Sequence, residues 1–282
     1  MSSGAPDEVV GVVGSPIAHS LSPLLHAAAF DALGINWASA RFEAGVGQGH
    51  AVVEAVRSLG LRGLSVTMPL KTEVAHAVDV LAPSAASIES VNTLVQSDGT
   101  VEGHSTDGAG LYESLKRQSG FDVSSARVLV LGAGGAARAV VAAAHARGAS
   151  EISVIARSAR SARSAADLAG SVGRVGTVAE APLADLVVNA TPIGMSGTEH
   201  EATVPLVDAA LLHGGQVVTD LVYRPLETAW LRAARDNGAT VVGGLGMLIH
   251  QAAIAIEHWT GFDAPIEAMY DAASATLESS PW

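Results

Sequence analysis

Val128-Leu-Val-Leu-Gly-Ala-Gly-Gly-Ala-Ala-Arg138 decides how the rest of this chain is read. Four aliphatic residues in succession predict a parallel strand buried on both faces. Gly132, Gly134 and Ala137 then fit the spacing G-x-G-x-x-G/A. The first glycine permits a tight turn, and the second lets backbone approach a pyrophosphate. The third small residue lets a helix pack closely on the strand. The Ala-rich helix that follows, through residue 146, aims its positive end at phosphates. A glycine triplet alone marks an ordinary tight turn as readily as a nucleotide site. Its place between a strand and a helix favours a dinucleotide site, with Gly132, Gly134, Gly135, Ala136 and Ala137 against the cofactor.

Around that stretch the chain alternates between strand and helix patterns. Downstream, strands are predicted over 152–155, 175–178, 186–189, 217–220 and 240–242. Helices are predicted from the end of the 152–155 strand through 169, over 228–237, over 246–260 and over 265–277. Upstream, strands are predicted over 9–13, 37–42 and 64–67. Helices are predicted from Ser22-Pro23 to about residue 33, with Ser22 as N-cap and Pro23 at the first helical position, over 50–59, and from Pro69 and Lys71 onward. Ser97-Asp-Gly99 between 93–96 and 100–102 predicts a hairpin. A polar, glycine-bounded loop at 103–108 opens a helix to about residue 118. The texture changes near residue 108, and 282 residues are enough for one large domain or two ordinary ones.

Composition bounds the function. The 282 residues are 49% hydrophobic and 16% charged, enough apolar material for a large core. A net charge of −12 argues against a nucleic-acid or anionic-membrane surface. With no cysteine, thiol catalysis, disulfides and cysteine metal sites are excluded. The ten histidines show no H-E-x-x-H or comparable ligand spacing, so no metal site is expected. The N-terminal Met1-Ser-Ser-Gly-Ala-Pro-Asp-Glu8 does not read as a signal peptide, and no apolar run reaches a membrane span. A cytoplasmic protein acting on a small molecule is the expectation.

The cofactor's identity turns on the end of the second strand after the glycine loop. A ribose 2′-hydroxyl ordinarily meets an acidic residue there. The sequence instead reads Ala156-Arg-Ser158, with Arg160 and Arg163 beyond. Arg157 suits a 2′-phosphate, which favours NADP and leaves NAD open. Asn189-Ala-Thr-Pro-Ile-Gly194 follows a strand's carboxyl end, where open α/β sheets bind ligands. Asn189 and Thr191 serve there as cofactor contacts or as turn caps.

Polar clusters in the first half each have a bland reading as a cap, a turn residue or a solvated lysine. Together they resemble the shikimate dehydrogenase family. The resemblance runs through Gly14-Ser-Pro-Ile-Ala-His-Ser-Leu-Ser-Pro23, Ser65-Val-Thr-Met-Pro-Leu-Lys71, Val91-Asn-Thr93 and Ser105-Thr-Asp-Gly108. It continues through Gly132 to Ala137, Asn189-Ala-Thr191, Asp220-Leu-Val-Tyr-Arg-Pro225 and Gly244-Leu-Gly-Met-Leu-Ile-His-Gln251, in family order along essentially the whole chain.

That resemblance implies two α/β domains with a cleft between them: a substrate domain of residues 1–108, completed by C-terminal helices over 246–282, and an NADP-binding Rossmann domain over 109–245. It implies Ser20 and Ser22 on the carboxylate of shikimate, and Thr67, Asn92, Asp107 and Gln251 on its hydroxyls. Tyr223 would also approach the substrate, with Lys71 and Asp107 as catalytic pair and Gly244 and Met247 near the nicotinamide. The implied reaction is the reversible reduction of 3-dehydroshikimate, a step toward aromatic amino acids. Two departures stand out: Ser105 where the family has Asn, and Ala156-Arg-Ser158 where it has Asn-Arg-Thr. Three alternatives remain. They are an NAD-dependent quinate/shikimate dehydrogenase, a paralogue acting on another cyclic polyol, and a metabolite-sensing binding protein on the same fold. A homodimer is left open.

Overall fold

The structure, a computed structural model, describes residues 5–198, 200, 201, 203 and 205–279, so part of the polar N-terminal stretch lies outside the described residues. The chain divides into two compact units. One comprises the residues up to Thr106 and those from Ile249 on, the other Asp107–Leu248.

In the first unit the order is β1 (Glu8–Gly14), α1 (Ser22–Leu33), β2 (Trp37–Glu43), α2 (Gly49–Ser58), β3 (Gly63–Val66) and α3 (Lys71–Ala75), then β4 (Val80–Leu81), α4 (Pro83–Ala86), β5 (Thr93–Ser97) and β6 (Thr100–His104). Their sheet runs β2-β1-β3-β5-β6-β4. β1 lies parallel to β2 and β3, while β5 is antiparallel to both β3 and β6. The β5–β6 hairpin forms where Asp-Gly predicts it, with φ of 50° at Asp98 and 81° at Gly99. Both values suit the turn whose twist matches paired strands.

The second unit begins with α5 (Asp107–Ser119) and continues through β7 (Arg127–Leu131), α6 (Gly135–Ala146), β8 (Glu151–Ile155), α7 (Ala159–Ala166), β9 (Gly173–Val175), β10 (Leu186–Asn189), β11 (Val217–Asp220), α8 (Ala229–Asp236) and β12 (Thr240–Val242). The sheet is parallel throughout, in the order β12-β11-β10-β7-β8-β9. Strand order reverses between β7 and β10, the doubly wound arrangement that binds ligands at that reversal. Val128 and Val130 of β7 pack into one apolar cluster with Val140, Ile152 and Leu186. Leu129 and Leu131 pack into another with Val187, Val218 and Trp230. Both faces are covered, which explains the unbroken aliphatic run.

Two helices complete the chain, α9 (Leu245–Thr260) and α10 (Ile266–Ser279). The indole of Trp259, fully buried, donates to the Leu94 carbonyl at 2.9 Å and ties α9 to β5. No helix among the described residues is long and apolar enough to cross a membrane.

Three local expectations need correction. Ser22 does not cap α1. Leu21 occupies the cap position in a right-handed helical conformation, so Ser22 is already the first helical residue and Pro23 the second. The strand expected at 175–178 lies instead at Gly173–Val175. A reciprocal capping box between Thr177 and Glu180 then starts a tight helical turn at Val178. The helix expected through 169 stops at Ala166 and passes into a tighter turn broken at Gly170. The β4 bridge and the short α4 have no counterpart among the predicted elements.

Candidate active site

In the first unit the polar residues gather at the carboxyl ends of β1 and β3 and on the segments that follow them. The loop after β1 presents Ser20, half-buried, and Ser22, buried. The Ser20 Oγ accepts the Ser22 N–H at 3.2 Å, so its own hydrogen is available to a ligand. The start of that loop meets the next motif, the Ser15 N–H donating to the Met68 carbonyl at 2.9 Å. Thr67 follows β3 and its N–H donates to the Val13 carbonyl at 2.9 Å. Lys71 is the first residue of α3, and its carbonyl accepts the Val91 N–H at 3.0 Å. The loops carrying Ser20, Thr67 and Lys71 are thus joined through backbone.

Asn92 lies buried at the centre of a second polar group. Its Nδ2 donates to Thr106 Oγ1 at 2.9 Å and to Gln251 Oε1 at 3.2 Å. Its Oδ1 accepts the Thr106 N–H at 2.8 Å and the Thr93 hydroxyl at 3.2 Å. Thr106 Oγ1 in turn donates to the Gln251 carbonyl at 3.0 Å. Asn92 and Gln251, expected together on a substrate's hydroxyls, are therefore in direct contact. Thr106 is a member that sequence reasoning missed. It lies inside the Ser105–Gly108 motif, but the carbonyl it bonds is 145 residues away.

In the second unit, Asp107 is buried as the first residue of α5. Gly132 has a φ of 113°, which an L side chain rarely adopts, and a Cβ there would stand 3.0 Å from the Ala190 carbonyl. A Cβ on Gly134 would meet nothing within 4 Å, so open space faces that backbone. Gly135 and Ala136 begin α6, and Ala137 is fully buried against the sheet. Arg157 is exposed between β8 and α7, and among the described residues it has no ion pair or hydrogen bond. Arg160 and Arg163 are exposed on α7. An open glycine turn, a helix N-terminus and an unengaged guanidinium, with no carboxylate in residues 155–163, fit a dinucleotide bearing a 2′-phosphate.

Asn189 ends β10 and organises the turn beyond it. Its Oδ1 accepts the Thr191 hydroxyl at 2.6 Å and the Thr191 N–H at 3.2 Å. Its Nδ2 donates to the Ile193 carbonyl at 3.3 Å and to Asp220 Oδ1 at 3.0 Å. Asp220 ends β11, fully buried. It also accepts the Val222 N–H at 3.0 Å and the Thr228 hydroxyl at 2.9 Å. Burial pushes the Asp220 carboxyl up to about 6, against the opposing pull of those three donors. Burial likewise raises the Tyr223 phenol, with Arg224 opposing. The Gly244 N–H donates to the Val222 carbonyl at 3.2 Å, and Met247 is buried in the apolar cluster of β7.

The chain is similar to known proteins along its whole length. Residues 12–94 match the family model described as the shikimate dehydrogenase substrate binding domain, and residues 244–273 the shikimate 5'-dehydrogenase C-terminal domain. A protein of Symbiobacterium thermophilum named shikimate dehydrogenase (NADP(+)) is 41% identical over 99% of this chain and 98% of its own. One of the same name from Methanopyrus kandleri is 42% identical over 96% and 97%. The crystal structure of shikimate 5-dehydrogenase from Thermus thermophilus, in complex with NADP(H) and shikimate, superposes with a TM-score of 0.88. It is 36% identical, covering 96% of this chain and all of that one.

Proposed function

Because this chain belongs to the shikimate dehydrogenase family, we infer that it catalyses the NADP-dependent, reversible reduction of 3-dehydroshikimate to shikimate. The observation that carries the reading is likeness along the whole chain to proteins named shikimate dehydrogenase (NADP(+)) and to a shikimate 5-dehydrogenase solved with NADP(H) and shikimate.

Reducing the ketone places negative charge on its oxygen. A cation within hydrogen-bond reach stabilises that charge and supplies the proton. Lys71 is the proposed donor, and in the oxidative direction its neutral amine takes the proton back from the alcohol. Asp107 is its proposed catalytic partner, accepting a hydrogen bond from the substrate. Ser20 and Ser22 donate to the substrate's carboxylate, while Thr67, Asn92 and Gln251 bind its hydroxyls. The Asn92–Thr106–Gln251 bonds hold two of these amides in fixed orientation, so that less is lost in ordering them when substrate arrives. Tyr223 completes the proposed substrate contacts.

NADP, when bound, would supply or take the hydride. Gly132, Gly134 and the first N–H groups of α6, from Gly135 and Ala136, would hold its pyrophosphate. Ala137 lets that helix lie close to β7. Arg157 would pair with the 2′-phosphate. Asn189, Thr191, Gly244 and Met247 are the remaining proposed cofactor contacts.

Two experiments test this. Steady-state rates with shikimate and quinate, each with NADP and NAD, should give the highest kcat/KM for shikimate with NADP. Quinate with NAD as the best pair would overturn the assignment. Lys71→Ala should lower turnover by orders of magnitude while shikimate still binds, and near-normal turnover would remove Lys71 from the mechanism.

A further inference from the structure

We propose that Arg41, supported by Glu43, is a positioning residue that sets affinity for the substrate's carboxylate by strapping the Ser20–Ser22 loop to the edge of the sheet. The proposal rests on the reading of Ser20 and Ser22 as carboxylate ligands.

β2 is the edge strand of its sheet, and Arg41 and Glu43, two residues apart, project from the same face of it. Their partners in the parallel register are Val12 and Gly14, the end of β1, from which the loop departs. The two side chains engage opposite ends of that loop. The Ser15 hydroxyl donates to Glu43 Oε1 at 3.1 Å. Arg41 donates through both Nε, at 3.2 Å, and Nη2, at 2.8 Å, to the Ser20 carbonyl. Backbone adds a tie at the first end, Ala44 N–H to Gly14 carbonyl at 3.2 Å, while the Ser20 N–H to Ile17 carbonyl bond at 3.0 Å closes a turn within the loop.

The Arg41 bond is the one that bears on the ligand. It fixes the Ser20 peptide, and with it the hydroxyl that accepts from the Ser22 N–H. Both proposed ligand hydroxyls belong to neutral side chains on a chain of net charge −12. Arg41 forms no ion pair among the described residues, so its charge is free to polarise the Ser20 peptide. The side chain is exposed and packs into no core, so replacing it leaves the fold intact.

Arg41→Gln should raise KM for shikimate about tenfold, the factor for one charge-assisted hydrogen bond, while kcat and KM for NADP stay within about twofold. Arg41→Lys, which keeps the charge and one donor, should recover much of the loss. Ser22→Ala run alongside separates this idea from the reading beneath it. If Ser22→Ala raises KM for shikimate and Arg41→Gln does not, the strap is refuted and the carboxylate assignment stands. If neither does, both fall. A rise in both KM values together with a lower Tm in Arg41→Gln would make Arg41 a structural residue only and would also overturn the proposal.

Discussion

His26 should make the first unit lose stability in mild acid, and His26→Leu should abolish that loss. The ring lies on α1 with no exposed surface. Its Nδ1 shares a hydrogen with Ser39 Oγ at 2.8 Å, and it meets the Trp259 ring edge-on at a centroid distance of 5.0 Å. Its Nε2 is buried without a partner among the described residues. Burial therefore disfavours the cation and lowers the pKa from 6.5 to about 3. Below pH 6.5 the unfolded chain takes up a proton that the native ring refuses. Stability is complete above that pH and falls by about 1.4 kcal/mol per unit below it, until the folded ring itself titrates. By pH 5 the loss from this one group is about 2 kcal/mol. Leucine in its place gives up the Ser39 bond, at a cost of about 1 kcal/mol at pH 7.5, and has nothing to titrate. The stability curves of parent and variant should therefore cross near about pH 6, and the variant should be the more stable by about 1 kcal/mol at pH 5. Urea unfolding followed by tryptophan fluorescence at pH 7.5, 6 and 5 measures this. Parallel curves would refute the buried neutral ring.

Asp220 gives the opposite slope. Its folded pKa of about 6 lies above the ordinary 3.8, so the native state holds the proton longer and stability falls as pH rises through that window. Relative to the parent, Asp220→Asn should gain about 2 kcal/mol more at pH 7.5 than at pH 4 in the same unfolding assay, and an equal difference at both would count against it. Gly132→Ala forces a side chain onto a φ of 113° beside the Ala190 carbonyl. It should cost about 1–3 kcal/mol in stability and raise KM for NADP more than KM for shikimate, and an unchanged Tm would contradict the strain. Arg157→Gln should raise KM for NADP about tenfold while leaving the KM for NAD nearly unaltered, and an unchanged ratio of the two would remove Arg157 from the 2′-phosphate.

What was legible in the sequence was what local physics fixes. The aliphatic run of β7 and the positive φ of Gly132 depend on neighbours a few residues away, and so does the Asp98-Gly99 turn. All three appear where the pattern puts them. What was not legible depends on distant partners. Val80–Leu81 becomes strand only because it pairs with β6. Ser22 reads as a helix cap until Leu21 is seen in helical conformation. Arg41 carries no local signal of a role, and only the fold of β1 against β2 brings it to Ser20. The motif carrying Thr106 gives no sign that its hydroxyl reaches the backbone of α9.

Asn189 and Asp220 show how far register alone can build a site. They are paired neighbours at the ends of adjacent parallel strands, and Asn189 also pairs with Leu131. The ladder then runs one residue past each strand. Ala190 donates to Leu131, Leu221 to Asn189, and Gly132 to Ile155. The glycine turn, the Asn189 turn and the start of the Tyr223 segment therefore leave the sheet in one row, on either side of the point where strand order reverses. A slip of one residue in β10 would turn Asn189 to the other face and leave the Asp220 carboxylate buried without one of its donors. The aliphatic strands that fill the core thus also set the alignment of the polar ends, and the cofactor contacts proposed at Gly132, Asn189 and Thr191 depend on that alignment.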